Sequence, residues 1–140
     1  GKISFYSSCG CIFGKMIKQI PSKEIKEYLK KNPKCVLLDV RTKEEWSSDG
    51  MPDGEKLGLK TFFLSIQFAD KSFNANFEEE FNKLNIGKDH EVLTMCMGGV
   101  RSQAAAELIT KNNYKCVNIS DGFLGNNENM GWKGNNLPLK

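Results

Sequence analysis

The residue types best suited to chemistry lie in the stretch EVLTMCMGGVRSQAAAELIT, residues 91–110. Cys96 follows an apolar run typical of a buried strand (92–95), and a helix is predicted to begin near Arg101 or Ser102. A thiol at such a junction lies beside the free N–H groups and the positive dipole end of the helix. Both favour the thiolate, which is the nucleophilic form of cysteine. Cys96 is therefore the predicted nucleophile.

The turn after Cys96 is suited to holding an anion. Gly98 and Gly99 allow the backbone to curl so that several N–H groups point at one anionic atom. Arg101 adds a permanent cation at the end of the same turn. The alternative interpretation is that Cys96 is one more small apolar residue buried at a strand end. The glycine pair, the arginine and the helix start coincide within seven residues, which favours the nucleophile.

Strands and helices are predicted to alternate along the chain. Strands are predicted over 16–20, 35–38, 92–95 and 116–119. Helices are predicted after an N-cap at Ser22, after a capping box from Thr42 to Glu45, from about Asn76, and over 101–111. Residues 49–61 are predicted to be a loop. This alternation indicates a parallel sheet sandwiched between helices, in one domain over 16–140.

In such sheets, ligands bind at the carboxyl ends of the strands. Cys96 lies at one predicted strand end, and the Asp39-Val40-Arg41 segment lies at another. These two segments are therefore expected to share one edge of the sheet. Glu45 and Trp46 are interpreted as a helix cap and a core aromatic residue.

Composition excludes several classes of function. The chain has 140 residues, a net charge of +3, 26% charged residues and 39% hydrophobic residues, which are ordinary values for a soluble globular protein. No basic stripe is interleaved with aromatic residues, so nucleic acid is not an expected partner. The five cysteines cannot all pair internally, which favours a reducing, cytoplasmic compartment over a disulfide framework. Cys35 and Cys116 are interpreted as core residues.

Neither a metal nor a cofactor is expected. His90 is the single histidine, so a metal site would need thiolates or carboxylates, and Cys9-Gly10-Cys11 offers only one pair. Residues 1–15 are interpreted as an N-terminal extension. They are too short, and too often interrupted by serine and glycine, for a membrane span. They also lack the continuous apolar core of an export signal.

Several short motifs follow one another along the chain. They are Asp39-Val40-Arg41, Glu45-Trp46, the loop CMGGVRS (96–102), Asp121-Gly122-Phe123, Gly131-Trp132 and Leu137-Pro138. In this order they resemble a single-domain rhodanese, a sulfurtransferase, over about residues 17–139. The resemblance implies a rhodanese-like α/β fold in which a central parallel five-stranded sheet is flanked by helices on both faces.

The resemblance also implies a chemistry. Cys96 would accept sulfane sulfur as a persulfide and pass it to cyanide, a thiol or a protein acceptor. The terminal sulfur would be surrounded by the backbone amides of the loop residues Met97, Gly98, Gly99, Val100 and Arg101. Arg101 would also supply positive charge, while Asp39 and Arg41 would order the neighbouring loop without reacting.

Two departures from the family pattern bear on the chemistry. Rhodaneses that favour thiosulfate often carry basic residues directly after the cysteine, where this chain has Met97 and Gly98. A protein persulfide or a small-molecule persulfide is therefore as good a candidate donor as thiosulfate. The family's Gly-His-Ile-x-Gly stretch corresponds here to residues 50–54, which contain no histidine, so no acid or base is assigned there.

Two alternative functions are considered. Phosphatases and arsenate reductases with a similar site place five residues between cysteine and arginine, whereas four separate Cys96 from Arg101. The shorter ring favours a single sulfur over a phosphate. A non-enzymatic rhodanese-like module, acting as a persulfide carrier or a regulatory binding domain, stays open. Intact Cys96, Gly99 and Arg101 argue against an inactive copy.

Overall fold

The computed structural model describes residues 16–140, so the N-terminal extension predicted over 1–15 lies outside the described residues. The strands are β1 (Lys18–Ile20), β2 (Cys35–Asp39), β3 (Lys60–Phe63), β4 (Glu91–Met95) and β5 (Lys115–Ile119). All neighbouring pairs are parallel, in the order β1-β5-β4-β2-β3. The predicted α/β fold with a central five-stranded parallel sheet is confirmed.

Helices cover both faces of this sheet. They are α1 (Ile25–Lys31), α2 (Lys43–Asp49), α3 (Phe77–Asn82), α4 (Val100–Thr110) and α5 (Gly131–Gly134). Because side chains alternate along a strand, Leu37 of β2 packs with Ile25 of α1 and Trp132 of α5 on one face. The opposite face packs against α3 and α4 through Val36, Leu38, Val92, Phe77, Phe81, Ala105 and Ile109. Within residues 16–140, no helix is both long and apolar enough to cross a bilayer.

Strand β3 begins within residues 49–61, which the sequence predicts to be a loop, and ends at Phe63. Lys60–Phe63 pairs with β2 at the edge of the sheet, so that Val36 faces Lys60 and Asp39 faces Phe63. The strand has four residues, none of them fully buried, and it follows Gly58 in the left-handed conformation. A strand this short and half-exposed has no clear hydrophobic alternation, because pairing with its neighbour defines it rather than burial.

The two predicted helix caps have different outcomes. Thr42 and Glu45 form the predicted capping box at the start of α2. Ser22 does not act as an N-cap, and that prediction is wrong. Its backbone N–H and its hydroxyl both donate to Asp121 Oδ1, each at 2.9 Å. A buried carboxylate is a stronger hydrogen-bond acceptor than a neutral group near the helix start.

The C-terminal segment is held against the domain by Trp132. Trp132 is fully buried, and its Nε1–H donates to the Pro138 carbonyl at 2.8 Å. The other oxygen of Asp121 accepts the Gly131 N–H at 2.8 Å, directly before Trp132. Asp121 therefore links Ser22, in the turn before α1, to the start of α5.

Candidate active site

Cys96 is the residue immediately after β4, which lies between β5 and β2. The following helix, α4, begins at Val100, one residue earlier than predicted. Cys96 therefore lies at the carboxyl edge of the sheet and at the amino end of a helix, as the sequence predicted. Its side chain exposes only 1% of its surface, so the thiol lies at the bottom of the loop.

Two donors surround the sulfur. The Gly99 N–H donates to Cys96 Sγ at 3.1 Å, and the Ser102 hydroxyl lies 3.3 Å from it. Of the five amides at 97–101 that were expected to surround a terminal sulfur, that of Gly99 makes the hydrogen bond to Sγ itself. The remaining surroundings of Cys96 belong to the apolar cluster that contains Val40 and Ala105.

The two loop glycines are not equivalent. Gly99 has φ +106°, and a Cβ placed there would lie 2.2 Å from the Ser120 carbonyl oxygen. Gly98 is outside the left-handed region, and a Cβ there would meet only the Gly125 oxygen at 3.5 Å. The expectation that both glycines let the backbone curl holds for Gly99 alone, because only its conformation excludes a side chain.

A buried amide organises the polar groups beneath Cys96. Asn118 Nδ2 donates to Gln19 Oε1 at 2.8 Å and to the Gly99 carbonyl at 3.0 Å. Asn118 Oδ1 then accepts from Ser102 at 2.5 Å and from Thr94 at 3.3 Å. The two amide donors are thus satisfied, so the oxygen is the atom that faces Ser102.

This arrangement gives Ser102 two roles that exclude each other. A hydroxyl carries one proton, so Ser102 cannot donate to Asn118 and to Cys96 at the same time. When Cys96 is a thiol, its S–H can donate to the Ser102 oxygen while Ser102 donates to Asn118. When Cys96 is a thiolate, rotation of the hydroxyl turns the Ser102 proton to the sulfur. The hydroxyl of Ser102 can therefore hydrogen-bond Cys96 as a thiol or as a thiolate.

Arg101 forms a bidentate ion pair with Glu45 of α2. Its Nη1 and Nη2 donate to the two Glu45 carboxylate oxygens at 2.7 and 2.8 Å. The sequence predicted Arg101 as a source of positive charge and Glu45 only as a cap. The Glu45 carboxylate pairs with Arg101 and also caps α2, because its Oε1 accepts the Thr42 N–H at 3.0 Å.

Both partners of this ion pair are ionised at neutral pH. Burial raises the pKa of Glu45, but the hydrogen bonds from Arg101 and Thr42 and the charge of Arg101 outweigh it and hold this pKa below its usual value. Hydrogen bonding to Glu45 raises the pKa of Arg101, and burial opposes this only in part. The two side chains expose 20% and 24% of their surface, so water screens them incompletely.

Asp39 and Arg41 form a second, fully buried ion pair. Arg41 Nη2 lies 2.8 Å from Asp39 Oδ2, and neither side chain is exposed. The same nitrogen donates to the Gly50 carbonyl at 2.9 Å, and the guanidinium stacks 4.1 Å from the centroid of the Phe123 ring. The pair therefore ties the end of α2 to the sheet. A contact of this kind is needed if Asp39 and Arg41 order the neighbouring loop, as the resemblance implies.

The remaining loop residues are fixed from the side of residues 120–124. The Phe123 N–H donates to the Cys96 carbonyl at 2.8 Å, and the Leu124 N–H donates to the Met97 carbonyl at 3.1 Å. Met97 is partly buried against the core, whereas Val100 is 81% exposed at the tip of the loop. Within residues 16–140, no cluster of three or more His, Cys, Asp or Glu side chains could hold a metal ion.

Sequence reasoning missed the contributions of Ser102, Asn118 and Glu45. Ser102 follows Arg101 within the first turn of α4, so its position could have suggested contact with the loop. Asn118 is a polar residue between the buried apolar residues Val117 and Ile119 of β5, which indicates a buried polar partner. The Glu45–Arg101 pair joins the segments that follow β2 and β4, which are adjacent in the sheet but distant in sequence.

Comparisons with known proteins agree with this geometry. The family model of the rhodanese-like domain matches residues 22–128. An uncharacterized protein of Rickettsia conorii, RC0915, is 42% identical over 124 residues, covering 87% of this chain and 96% of its own length. The putative sulfurtransferase YtwF of Bacillus subtilis is 25% identical over 122 residues, covering 87% of this chain and 96% of its own length.

A solved structure gives the same fold. The crystal structure of Rv0390 from M. tuberculosis superposes with a TM-score of 0.77 at 32% sequence identity, over 90% of this chain and 98% of that chain. The family model spans strands β2 to β5 and the cysteine loop, and the structural match covers 90% of the chain. This chain belongs to the rhodanese-like domain family.

Proposed function

We propose that the protein is a rhodanese-type sulfurtransferase in which Cys96 carries sulfane sulfur as a persulfide. The observation that carries the proposal is the environment of Cys96 Sγ, which receives the Gly99 N–H and lies beside the Ser102 hydroxyl at the start of α4. Membership of the rhodanese-like family and the name of the B. subtilis relative, a putative sulfurtransferase, support the same chemistry.

In the first half-reaction, the Cys96 thiolate attacks the outer sulfur of a donor such as thiosulfate or a persulfide. A bond forms between Sγ and that sulfur, and the bond between the two donor sulfurs breaks. The inner donor sulfur leaves with the electron pair of the broken bond. The new persulfide anion would lie above the loop at 97–101, where backbone N–H groups and the amino end of α4 provide preorganised stabilisation.

In the second half-reaction, cyanide, a thiol or a protein cysteine attacks the terminal sulfur. The bond between the two sulfurs breaks again, and Cys96 leaves as the thiolate that began the cycle. Because the donor product leaves before the acceptor reacts, the kinetics are ping-pong.

The burial of Cys96 restricts what can reach it. With 1% of its surface exposed, the thiol can be approached only by a narrow group that enters through the loop. A terminal sulfur on a single stem meets this requirement better than a tetrahedral phosphate does. The four-residue spacer between Cys96 and Arg101 favours the same choice over phosphatase chemistry.

The same burial favours a second candidate, a persulfide carrier that receives sulfur from a dedicated protein donor. Such a carrier would be loaded once and would release sulfur slowly to small acceptors. Both the carrier and the enzyme would form a persulfide on Cys96, but only the enzyme would turn over repeatedly with small donors and acceptors.

Initial rates of thiocyanate formation from a sulfur donor and cyanide test the proposal. We expect parallel double-reciprocal plots for the wild type and no turnover for Cys96→Ser. The control is Cys116→Ser, which changes a half-buried thiol away from the loop and should keep turnover. Wild-type activity in Cys96→Ser would contradict the proposal. One thiocyanate per protein molecule, without further turnover, would support the carrier instead.

A further inference from the structure

The loop that holds Cys96 contains one charged side chain, Arg101, among residues 96–102. Both terminal nitrogens of its guanidinium are engaged by Glu45, at 2.7 and 2.8 Å. Two parallel N–H···O bonds are the strongest geometry available to this pair of groups. The one cation of this loop is therefore neutralised by a carboxylate in direct contact.

Glu45 cannot easily move away from this position. Its Oε1 accepts the Thr42 N–H at 3.0 Å, and its own N–H donates to Thr42 Oγ1 at 3.1 Å. Rotating the carboxylate away from Arg101 would therefore also open the capping box of α2. The neutral state of the pair is built into the fold.

The other groups around the loop do not replace the lost charge. Arg41 is fully buried and paired with Asp39, so it does not reach a donor in the loop. The groups that hydrogen-bond the loop from the next segment are the peptide N–H groups of Phe123 and Leu124, which are uncharged. At the loop tip, Val100 presents an exposed apolar side chain.

We infer that Glu45 determines the class of sulfur donor, so that the site selects a thiol persulfide over the thiosulfate dianion. The inference rests on the proposed sulfurtransferase function and adds the donor class to it. A dianion must give up more hydration than a persulfide to enter the loop, and the neutral Glu45–Arg101 pair offers it no compensating net attraction.

The persulfide step balances without any other reactant. Cys96–S⁻ and R–S–SH give the persulfide anion Cys96–S–S⁻ and R–SH. One S–S bond forms, one breaks, and the proton of the donor's terminal sulfur passes to the leaving thiolate. The total charge stays at minus one throughout. With thiosulfate, the same step would place three negative charges in the loop, two from the donor and one from the nucleophile.

The test compares thiosulfate and cysteine persulfide as donors for the wild type and for Glu45→Gln. Glutamine fits the capping box but lacks the charge, so Arg101 gains a net positive field. We expect the ratio of kcat/KM for thiosulfate to kcat/KM for cysteine persulfide to rise roughly tenfold, the effect of one unit charge on a dianion about 5 Å away in a water-like dielectric. The matched control is Glu44→Gln, on the exposed side of the same turn, which should keep the wild-type ratio.

Two further readouts separate charge from structure. Arg101→Ala should lower the ratio of kcat/KM for thiosulfate to that for cysteine persulfide, because Glu45 is left as an unpaired negative charge. Adding Glu45→Gln to this variant should return the ratio toward the wild-type value, because the net charge of the two positions is again zero. The thiosulfate rate of Glu45→Gln should also fall with added salt more steeply than that of the wild type. A purely structural role for Glu45 would produce neither pattern.

The inference is overturned if Glu45→Gln, folded as judged by its thermal unfolding, has the same donor ratio as Glu44→Gln. A wild-type preference for thiosulfate over cysteine persulfide would also overturn it. Intact-mass measurement on the wild type distinguishes this failure from that of the proposed function. If either donor adds a sulfur atom to Cys96, the sulfurtransferase proposal stands whatever the donor ratio; if neither does, that proposal fails.

Discussion

Three cysteines of the described chain lie at opposite edges of one sheet, in opposite surroundings. Cys96 follows β4 at the carboxyl edge, where the Gly99 N–H points at its sulfur. Cys35 begins β2 at the amino edge, where its sulfur lies 3.1 Å from the Asn32 carbonyl oxygen and 3.9 Å from a carboxylate oxygen of Glu91. One thiol thus faces a donor and the other faces acceptors.

Burial, with the negative charge of Glu91 nearby, keeps both amino-edge thiols protonated. Burial, together with the charge and hydrogen bond of Glu91, raises the pKa of Cys35 to about 12. Burial is also the main reason why the pKa of Cys116 is raised to about 11. Burial alone therefore does not make a nucleophile. In a parallel α/β sheet, the helices that follow the strands place their N–H groups at the carboxyl edge, and a thiolate there has donors within reach.

Replacing Gly99 by alanine should have the largest effect on the environment that distinguishes Cys96 from the two amino-edge cysteines. The new Cβ would lie 2.2 Å from the Ser120 carbonyl oxygen at φ +106°, so the loop must move and the N–H would leave the sulfur. We expect loss of sulfur loading on Cys96 and a decrease of more than about 2 kcal/mol in the free energy of unfolding, measured with urea.

Gly98→Ala is the matched control for this change. Its Cβ would meet only the Gly125 oxygen at an ordinary contact distance of 3.5 Å. We expect unfolding and loading close to the wild type. Equal effects of the two substitutions would mean that the left-handed conformation of Gly99 is not required to position the loop around Cys96.

The two amino-edge thiols should resist alkylation of the native protein. With pKa values of about 12 for Cys35 and about 11 for Cys116, their thiolate fractions at pH 8 are roughly a hundredfold or more below those of an unfolded chain. Labelling with iodoacetamide, followed by peptide mapping, should increase about tenfold per pH unit up to at least pH 10. A plateau below pH 9 at either residue would contradict the assigned environment.

Replacing Ser102 by alanine should have an intermediate effect. The change removes the hydroxyl that lies 3.3 Å from Cys96 Sγ but leaves the Gly99 N–H in place. We expect the rate of persulfide formation to fall about tenfold, as expected for one hydrogen bond to a charged group. Ser102→Thr, which keeps a hydroxyl, should recover part of the rate. An unchanged rate in the alanine variant would exclude the hydroxyl from the reaction.

The ion pair beside the loop should produce the smallest effect, a dependence of stability on pH. The pKa of Glu45 in the folded protein lies below the usual value of 4.5, so its contribution is complete above about pH 4.5 and is lost as the pH falls through the lowered pKa. Urea unfolding should therefore separate the wild type from Glu45→Gln by about 1 kcal/mol at pH 7. The separation should be smaller at pH 3, and a separation that grows toward acid would contradict the ion pair.

Local features of the site could be predicted from the sequence. The strand before Cys96, the helix after it and the capping box at Thr42 all depend on neighbouring residues, so their patterns are visible in one stretch of chain. The resemblance to rhodaneses supplied the fifth strand, because the half-exposed edge strand β3 has no clear pattern of its own.

Contacts across the fold could not be predicted in this way. The Glu45–Arg101 ion pair and the Asn118–Ser102 hydrogen bond join residues 56 and 16 positions apart, and they exist only because neighbouring strands deliver their loops to one edge. The different requirements of Gly98 and Gly99 depend on the position of Ser120, which also comes from another part of the chain.

The most direct test of the central claim is the location of the transferred sulfur. The protein is incubated with thiosulfate or cysteine persulfide, trapped with iodoacetamide and mapped by peptide mass. The structure predicts one added sulfur atom on the peptide that contains Cys96, and none in Cys96→Ser. Sulfur found on Cys35 or Cys116, or no gain of mass with either donor, would contradict the account.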